Sequence, residues 1–150
     1  MAQKNRVVAH FLDGRVMKGM TQDFIPTRSH FHVFTTTDHA SVLVSQEDLK
    51  ALFFIRNLTG NPQRVDIPAF TRGPAENAYG RKIAVRFPDG ELICGYSVAY
   101  STAREGFFMS TMDARGNNER IYVVLSPGVK VFEGQAAEEM LRRWSNPEAA

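Results

Sequence analysis

The sequence predicts a mainly β protein made of two tandem five-stranded small barrels, which are related by internal duplication and followed by a short C-terminal α-helix. Three observations lead to this prediction. The segment FLDGRVMKG at 11–19 recurs as FPDGELICG at 87–95, 76 positions later. Around each copy, apolar residues alternate with polar ones, which is the pattern of strands with one buried face. Near the C-terminus, apolar residues recur instead at the spacing of an amphipathic helix.

The first two strands of each copy are predicted to form a hairpin. The alternation is clear over Val7–Phe11 and over Ile83–Phe87. An Asp-Gly pair follows each strand, at 13–14 and 89–90, and such pairs favour the positive φ angles of tight hairpin turns. A further glycine lies inside each second strand, where glycine is typical of a bulge, a sharp bend or a close backbone approach. These two glycines are Gly19 and Gly95.

The later strands and the region between the copies set the predicted domain boundaries. Apolar matches continue at a spacing of 76 as far as Val33 and Met109, and the spacing then grows to 79 and 80. This change locates an insertion around 113–118, and insertions are tolerated in loops rather than inside strands. Residues rich in proline, glycine and polar side chains predict a linker between the copies. The predicted divisions are a first repeat over 1–56, a linker over 57–80, a second repeat over 81–133, and a helix with a tail over 134–150.

The C-terminal segment is predicted to be an amphipathic helix. Four apolar residues fall at positions i, i+3, i+4 and i+7, and Pro147 ends the pattern. In this stretch, the four residues are Ala137, Met140, Leu141 and Trp144. Two interpretations stay open: the helix packs as a cap on the second barrel, or it docks a partner through Trp144 and its neighbours.

Composition favours a cytoplasmic protein with no membrane segment and no cofactor. No apolar run approaches the roughly 18–20 residues that a membrane helix requires, and the N-terminal segment lacks the apolar region of a signal peptide. Cys94 is the single cysteine, so no disulfide framework can form within the chain. The net charge is only +2, and no half of the chain carries a basic arm that would hold nucleic-acid phosphates by charge alone.

The segment VVAHFLDGRVMKGMTQDF resembles the first signature of Sm-like small barrels: alternating apolar residues, a turn glycine and a glycine in the next strand. The Asp-Asn pair of the RNA-binding Sm signature is missing, because Ile25-Pro-Thr-Arg28 follows Phe24. The segments LKALFFIRNLTG, GELICGYSVAY and EGFFMSTMDARGNNERIYVV resemble more specifically an uncharacterised bacterial domain family of tandem SH3- or Sm-like barrels. This resemblance runs from about Arg6 to Glu133 and implies a cytoplasmic bacterial accessory module with no established activity.

Two histidines form the first candidate site. His30 and His32 lie two residues apart on a predicted strand, so their imidazoles point to the same face. A metal site normally needs three or four ligands, and the available third ligands have no spacing that recommends them. We therefore predict no metal site, with this pair as a weak candidate against a plain polar outward face.

The segment 113–120, DARGNNER, forms the second candidate site. Asn and Gly supply turn geometry, and Asn side chains hydrogen-bond their own backbone, so a structural turn is one interpretation. The other is a ligand-facing loop in which Arg115 and Arg120 hold an anion while the amides of Asn117 and Asn118 read it.

Arg28 and Arg104 form the third candidate site, since they occupy matched positions beside aromatic residues. Arginine–aromatic surfaces stack single-stranded bases, although most aromatic residues in a chain with 11 Phe form the core. Phe53 and Phe54 are adjacent on a predicted strand, so one of them faces away from the other's side. The outward ring is expected in the barrel–barrel interface or in an oligomer or partner contact, and Phe54 is the candidate for the latter.

The sequence thus favours a non-catalytic binding or adaptor module that recognises a protein partner or associates with itself. It contains no nucleophile elbow, phosphate-cradling loop, zinc-protease helix or paired-cysteine motif, so no enzyme is predicted. The alternative is RNA or single-stranded DNA binding through the arginine–aromatic face, and that function requires an affinity that falls with salt.

Overall fold

The computed structural model describes residues 4–55, 80–101, 105–110 and 118–145. This part of the chain is mainly β, with ten strands followed by one helix. The strands of the first half are β1 (Asn5–Phe11), β2 (Val16–Thr21), β3 (His30–Thr35), β4 (Ser41–Ser45) and β5 (Leu49–Ile55). The strands of the second half are β6 (Arg81–Arg86), β7 (Leu92–Ser97), β8 (Gly106–Met109), β9 (Asn118–Val124) and β10 (Lys130–Glu133), and the helix is α1 (Gln135–Ser145).

The ten strands form two antiparallel sheets, one ordered β4-β3-β2-β1-β5-β9-β8 and the other β10-β6-β7. Among the described residues, one β-bridge joins them: the N–H of Tyr96 donates to the carbonyl of Ser110 at 2.9 Å, and the N–H of Ser110 donates to the carbonyl of Tyr96 at 2.8 Å. This arrangement differs from the predicted pair of closed barrels. Among the described strands, neither sheet closes on itself, and β5 of the first half pairs with β9 of the second.

The cross-pairing follows from the sequence of β5, LKALFFI, which is apolar on both faces. Leu52 and Phe54 point into a core shared with β1, β3 and β4, whereas Ala51 and Phe53 point into a core shared with β6, β7 and β8. A strand that is apolar on both faces needs cover on both. The β5–β9 pair, which we call the seam, therefore lies between the two cores.

The hairpins β1–β2 and β6–β7 have the same register. Ala9 lies opposite Met17, and Val85 lies opposite Ile93, 76 positions later. Every other pair of the first hairpin recurs at that spacing in the second. The sequence match at 11–19 and 87–95 therefore corresponds to a match in strand pairing.

The two hairpin turns also have the same hydrogen bonds. The N–H of Gly14 donates to the carbonyl of Phe11 at 3.1 Å, and the N–H of Gly90 donates to that of Phe87 at 2.9 Å. Both glycines have a φ of 93°, which residues with a Cβ rarely adopt. The predicted Asp-Gly turns are confirmed.

Gly19 and Gly95 allow close backbone approach, one of the three roles predicted for them. A Cβ on Gly19 would lie 2.2 Å from the carbonyl oxygen of Phe34, and a Cβ on Gly95 would lie 2.2 Å from that of Ser110. Neither contact leaves room for an alanine. These glycines thus set how closely β2 and β7 pack against the strands that follow them.

β5 has a bulge opposite β1, because His10 pairs with Ala51 while Phe11 pairs with Leu49. The residue skipped by this pairing is Lys50. Its ammonium donates to a carboxylate oxygen of Asp89 at 2.7 Å and to one of Glu91. Both acceptors belong to the second hairpin turn, so the bulge ties the first half of the chain to the second.

α1 packs across one face of the smaller sheet. Ala137 is fully buried, and Met140 and Leu141 pack against side chains from β6 and β7. The indole N–H of Trp144 donates to the carbonyl of Gly90 at 3.2 Å. The predicted helix is confirmed, and it lies where the first of its two interpretations put it, as a cap on the second half.

The predicted linker at 57–80 falls outside the described residues except for Gly80, and the predicted insertion at 113–118 does so except for Asn118. In the part of the chain that is described, no helix has the length and apolar character needed to cross a membrane.

Candidate functional site

The first candidate surface is the outer side of β2, β3 and β4, which we call the open face. Three large apolar side chains on it are about half exposed: Val16 at 53%, Phe34 at 51% and Leu43 at 59%. Phe34 lies opposite Met20 on β2, and Leu43 lies opposite His32 on β3. The open face is thus a partly apolar surface that extends to the edge of the larger sheet.

The equivalent surface of the smaller sheet, which we call the covered face, is closed by α1. Val8, Val16 and Lys18 correspond by register to Ala84, Leu92 and Cys94. The last three are buried, Leu92 with an exposed fraction of only 3%. They pack with Phe132 of β10 and with Ala137, Met140 and Leu141 of α1.

The strand β4 forms the edge of the open face, and part of its backbone has no hydrogen-bonding partner among the described strands. The N–H of Thr35 donates to the carbonyl of Ala40, and the N–H of Gln46 donates to that of Ser29, both at 2.8 Å. In an antiparallel pair the bonded residues alternate, so Ser41, Leu43 and Ser45 turn their N–H and C=O groups away from β3. Among the described strands, none pairs with β4 on that side.

The weak metal candidates lie on the open face. Nδ1 of His30 is 2.8 Å from the hydroxyl of Ser29, and Nδ1 of His32 is 2.7 Å from a carboxylate oxygen of Asp23. Partial burial tends to raise the pKa of Asp23, but the hydrogen bonds from the ring and backbone of His32 outweigh it and lower that pKa. Within the described ranges, no three His, Cys, Asp or Glu side chains are placed to share a metal ion.

The second candidate surface is an aromatic cluster at the seam, on which Arg120 lies. The guanidinium carbon of Arg120 is 4.5 Å from the ring centroid of Phe54 and 4.9 Å from that of Phe108. Phe24 packs edge-on against Tyr122, with centroids 5.1 Å apart. Phe54 is buried in this cluster, so it stabilises the seam and offers no free ring to a partner.

The other predicted site residues are not brought together by the described structure. Arg28 is exposed in the loop before β3, and its carbonyl accepts from the side-chain amide of Gln46. Trp144 lies at the far end of α1. Arg104, Arg115 and Asn117 lie outside the described residues, and Asn118 is described only as the first backbone position of β9.

The open face was not among the predicted sites. A polar outward face was expected only at His30 and His32, and Phe34 and Leu43 on the same side of the sheet are apolar. The signal was present as the unbroken apolar segments Val33–Phe34 and Val42–Val44, in which alternation predicts a polar residue.

These features define a mainly β protein with two antiparallel sheets and one apolar sheet face left open. Residues 3–133 match a family model described as Family of unknown function (DUF6982), and the chain belongs to this family. The predicted membership of an uncharacterised domain family is thereby confirmed. No curated protein and no solved structure matches the chain.

Proposed function

We propose that the chain is a non-catalytic protein-binding module built from two five-strand units that arose by duplication. In this proposal each unit has the strand order of an open SH3- or Sm-like small barrel, β4-β3-β2-β1-β5 in the first and β9-β8-β7-β6-β10 in the second. The shared hairpin register and the shared turn hydrogen bonds support common descent of the two units.

The observation that carries the proposal is the contrast between the open face and the covered face. In the second unit, Leu92 and Cys94, the counterparts of Val16 and Lys18, are buried beneath an amphipathic helix. Tyr122, the counterpart of Leu43, is buried at the seam. In the first unit, Val16, Phe34 and Leu43 remain about half exposed beside an edge of β4 with which no described strand pairs. Apolar and aromatic side chains beside unpaired backbone groups are what a protein partner binds.

The chemistry of the single thiol supports a non-catalytic role. Cys94 is buried beneath α1, and this burial raises the pKa of its thiol to about 12. The thiolate is the nucleophilic form of cysteine, so at neutral pH Cys94 is a packing residue. Lys50 is held by Asp89 and Glu91, so its ammonium is engaged in a structural ion pair.

The alternative function, nucleic-acid binding, has less support from the described residues. Phe31 and Phe107, two of the rings expected to stack bases beside Arg28 and Arg104, are buried in the two cores. Phe24 packs against Phe31 with centroids 5.0 Å apart. What favours this function is that Arg28 and Arg120 are exposed residues.

A photoreactive amino acid in place of Leu43 tests the protein-binding function in cells that make the full chain. We expect covalent adducts with protein at position 43 and none when the same group replaces Leu12. Leu12 is a matched control, because it is also half exposed but lies on the first hairpin turn. Adducts with RNA, or equal labelling at both positions, would overturn the proposal.

A titration with mixed-sequence single-stranded RNA tests the alternative. We expect no binding by fluorescence anisotropy, at low or at physiological salt. Micromolar binding that falls with salt, and that Arg28→Ala and Arg120→Ala both weaken, would favour the nucleic-acid function instead.

A further inference from the structure

The seam shows how one unit of this fold joins another. Leu52 of β5 lies opposite Tyr122 of β9. The N–H of Leu125 donates to the carbonyl of Glu105 at 2.9 Å, so alternation directs the backbone groups of Tyr122 toward β5. The fourth strand of the second unit thus pairs, antiparallel, with the fifth strand of the first unit.

Each seam strand has a counterpart in the other unit that the register identifies. Ala9 pairs with Leu52, and Val85 pairs with Val131, so Leu52 corresponds to Val131 of β10. In the same way, His32 pairs with Leu43, and Phe108 pairs with Tyr122, so Tyr122 corresponds to Leu43 of β4. The counterparts of the two seam strands are therefore the two outer edges, β10 and β4.

On both edges, the corresponding residues direct their backbone N–H and C=O groups outward. The N–H of Gly134 donates to the carbonyl of Lys82 at 2.9 Å, so Lys130 and Phe132 bond to β6, and Val131 turns its N–H and C=O groups outward. Leu43 does the same on β4. Among the described strands, β10 pairs only with β6, and β4 pairs only with β3.

We propose that β4 of one copy of this chain pairs antiparallel with β10 of a second copy, in the register of the seam. Val131 then lies opposite Leu43 as a hydrogen-bonded pair, and Phe132 lies opposite Val42. This inference rests on the proposed function and names the partner of the open face and its edge, a second copy of the chain.

The pairing accounts for the exposed leucine at the edge. Tyr122, the seam residue that corresponds to Leu43, is only 3% exposed because the core of the first unit covers it. Leu43 is 59% exposed. In the proposed contact, the open end of the second core, beside Val131, covers Leu43 in the same way.

The packing contacts of the helix α1 lie on the face of the smaller sheet, over Ala84, Leu92 and Phe132. Because β6 lies on the inner side of β10, a helix that spans both strands covers their face and not the outer edge. The contact joins two different edges, so the assembly is head-to-tail and forms a ring or a filament.

Disulfide trapping between two full-length variants tests the register. One chain carries Leu43→Cys and the other Val131→Cys, both on a Cys94→Ala background. A hydrogen-bonded antiparallel pair separates Cα atoms by about 5.5 Å, which lies within the range that a disulfide spans. We expect a heterodimer when the two chains are mixed under mild oxidation and no comparable product from either chain alone.

The register control pairs Leu43→Cys with Lys130→Cys. Lys130 is the residue next to Val131, and its side chain lies on the opposite face of β10. We expect at least a tenfold lower yield of heterodimer from this pair. Equal yields from both pairs, or no heterodimer from either, would overturn the proposal.

The oligomeric mass separates failure of this inference from failure of the proposed function. We expect sedimentation equilibrium to give at least a dimer for the wild type, and Leu43→Asp to weaken the association at least tenfold while Leu12→Asp does not. If the chain is a monomer but position 43 still forms adducts with other proteins in cells, the self-association is wrong and the proposed function stands. A monomer without protein adducts overturns both.

Discussion

The open face and the covered face have the same strand geometry and opposite exposure. In the first unit, His10 lies opposite Val16 and Val8 lies opposite Lys18, and the second unit repeats both pairs 76 positions later. Side-chain identity separates the two faces. Lys18 projects from the first face, and its counterpart Cys94 is buried beneath α1. The strand geometry is thus the same in both units. Whether the sheet face is core or surface depends on a few outward side chains and on whether a helix packs on them.

The seam shows a second way to cover a sheet face in the same molecule. Phe53 of β5 and Phe132 of β10 are equivalent by register. Phe53 is covered by the core of the second unit, whereas Phe132 is covered by α1. The same position of the fold is therefore buried in two ways: by a strand from the neighbouring unit, or by the helix that follows in the chain.

The largest expected effect comes from the matched glycines. Gly19→Ala and Gly95→Ala each place a Cβ 2.2 Å from a carbonyl oxygen, and such overpacking costs about 3 kcal/mol of the free energy of unfolding. Urea unfolding measures both variants. Gly14→Ala is the control: nothing lies within 4 Å of its Cβ, and its positive φ alone costs about 1 kcal/mol. If the losses in free energy of unfolding for Gly19→Ala and Gly95→Ala differ from each other by more than the loss for Gly14→Ala, the two units do not pack alike.

The next effect tests the two faces directly at one equivalent position. Leu92→Ala removes a buried side chain beneath α1 and should cost about 2–4 kcal/mol. Val16→Ala changes an exposed side chain and should alter stability by less than about 0.5 kcal/mol. Denaturant unfolding of both variants at low protein concentration checks the difference. A comparable loss in both variants would mean that the open face is also buried in solution.

The sequence predicted those features of the fold that depend on local patterns. Alternation around 7–11 and 83–87, the Asp-Gly turns and the helical spacing before Pro147 each require only neighbouring residues, and each is confirmed. The seam could not be predicted in this way, because pairing between β5 and β9 joins residues about 70 positions apart in the sequence. The adjacent Phe53 and Phe54 showed only that β5 has two apolar faces, and the strand that covers them was not evident from their spacing.

The residues of the open face were not predicted from the sequence. Charged and amide residues such as Arg28 and Asn118 were predicted to bind a ligand because of their chemistry. Phe34 and Leu43 were not, since an apolar residue in a strand is usually core. Their exposure depends on which strand lies at the edge of the sheet, and strand order is a long-range property.

A smaller effect is expected at the ion pair that ties the two units together. Burial tends to lower the pKa of Lys50, but its hydrogen bonds to Asp89 and Glu91 outweigh that effect and raise it. Lys50→Met should cost about 1 kcal/mol, because the partners are partly exposed and water screens the pair. A double-mutant cycle with Asp89→Asn measures the coupling. Coupling of zero would show that the bulge is held by backbone pairing alone.

The same ion pair gives a pH dependence with a definite sign. The hydrogen bond from Lys50 lowers the pKa of Asp89 below its ordinary value of 3.8. A lowered pKa in the folded state stabilises the protein above pH 3.8, and the contribution is lost as the pH falls through the folded value. Between pH 5 and pH 2.5, the free energy of unfolding should therefore change less with pH for Asp89→Asn than for the wild type.

The smallest expected effect concerns His10, which marks a further difference between the units. Its ring centroid lies 4.5 Å from that of Phe53, and burial lowers the pKa of His10 below 6.5, although Glu91 opposes the shift.

Neutral His10 is thus favoured in the folded state, so its contribution to stability is present above pH 6.5 and lost as the pH falls through the folded value. Arg86, at the equivalent position of the second unit, is exposed. Between pH 7.5 and pH 5, His10→Gln should therefore reduce the pH slope of stability, by less than about 1 kcal/mol in total, whereas Arg86→Gln should leave it unchanged. Parallel pH profiles for wild type and His10→Gln would mean that the seam does not desolvate this ring, and that the position beside Phe53 is as open to water as its counterpart at Arg86.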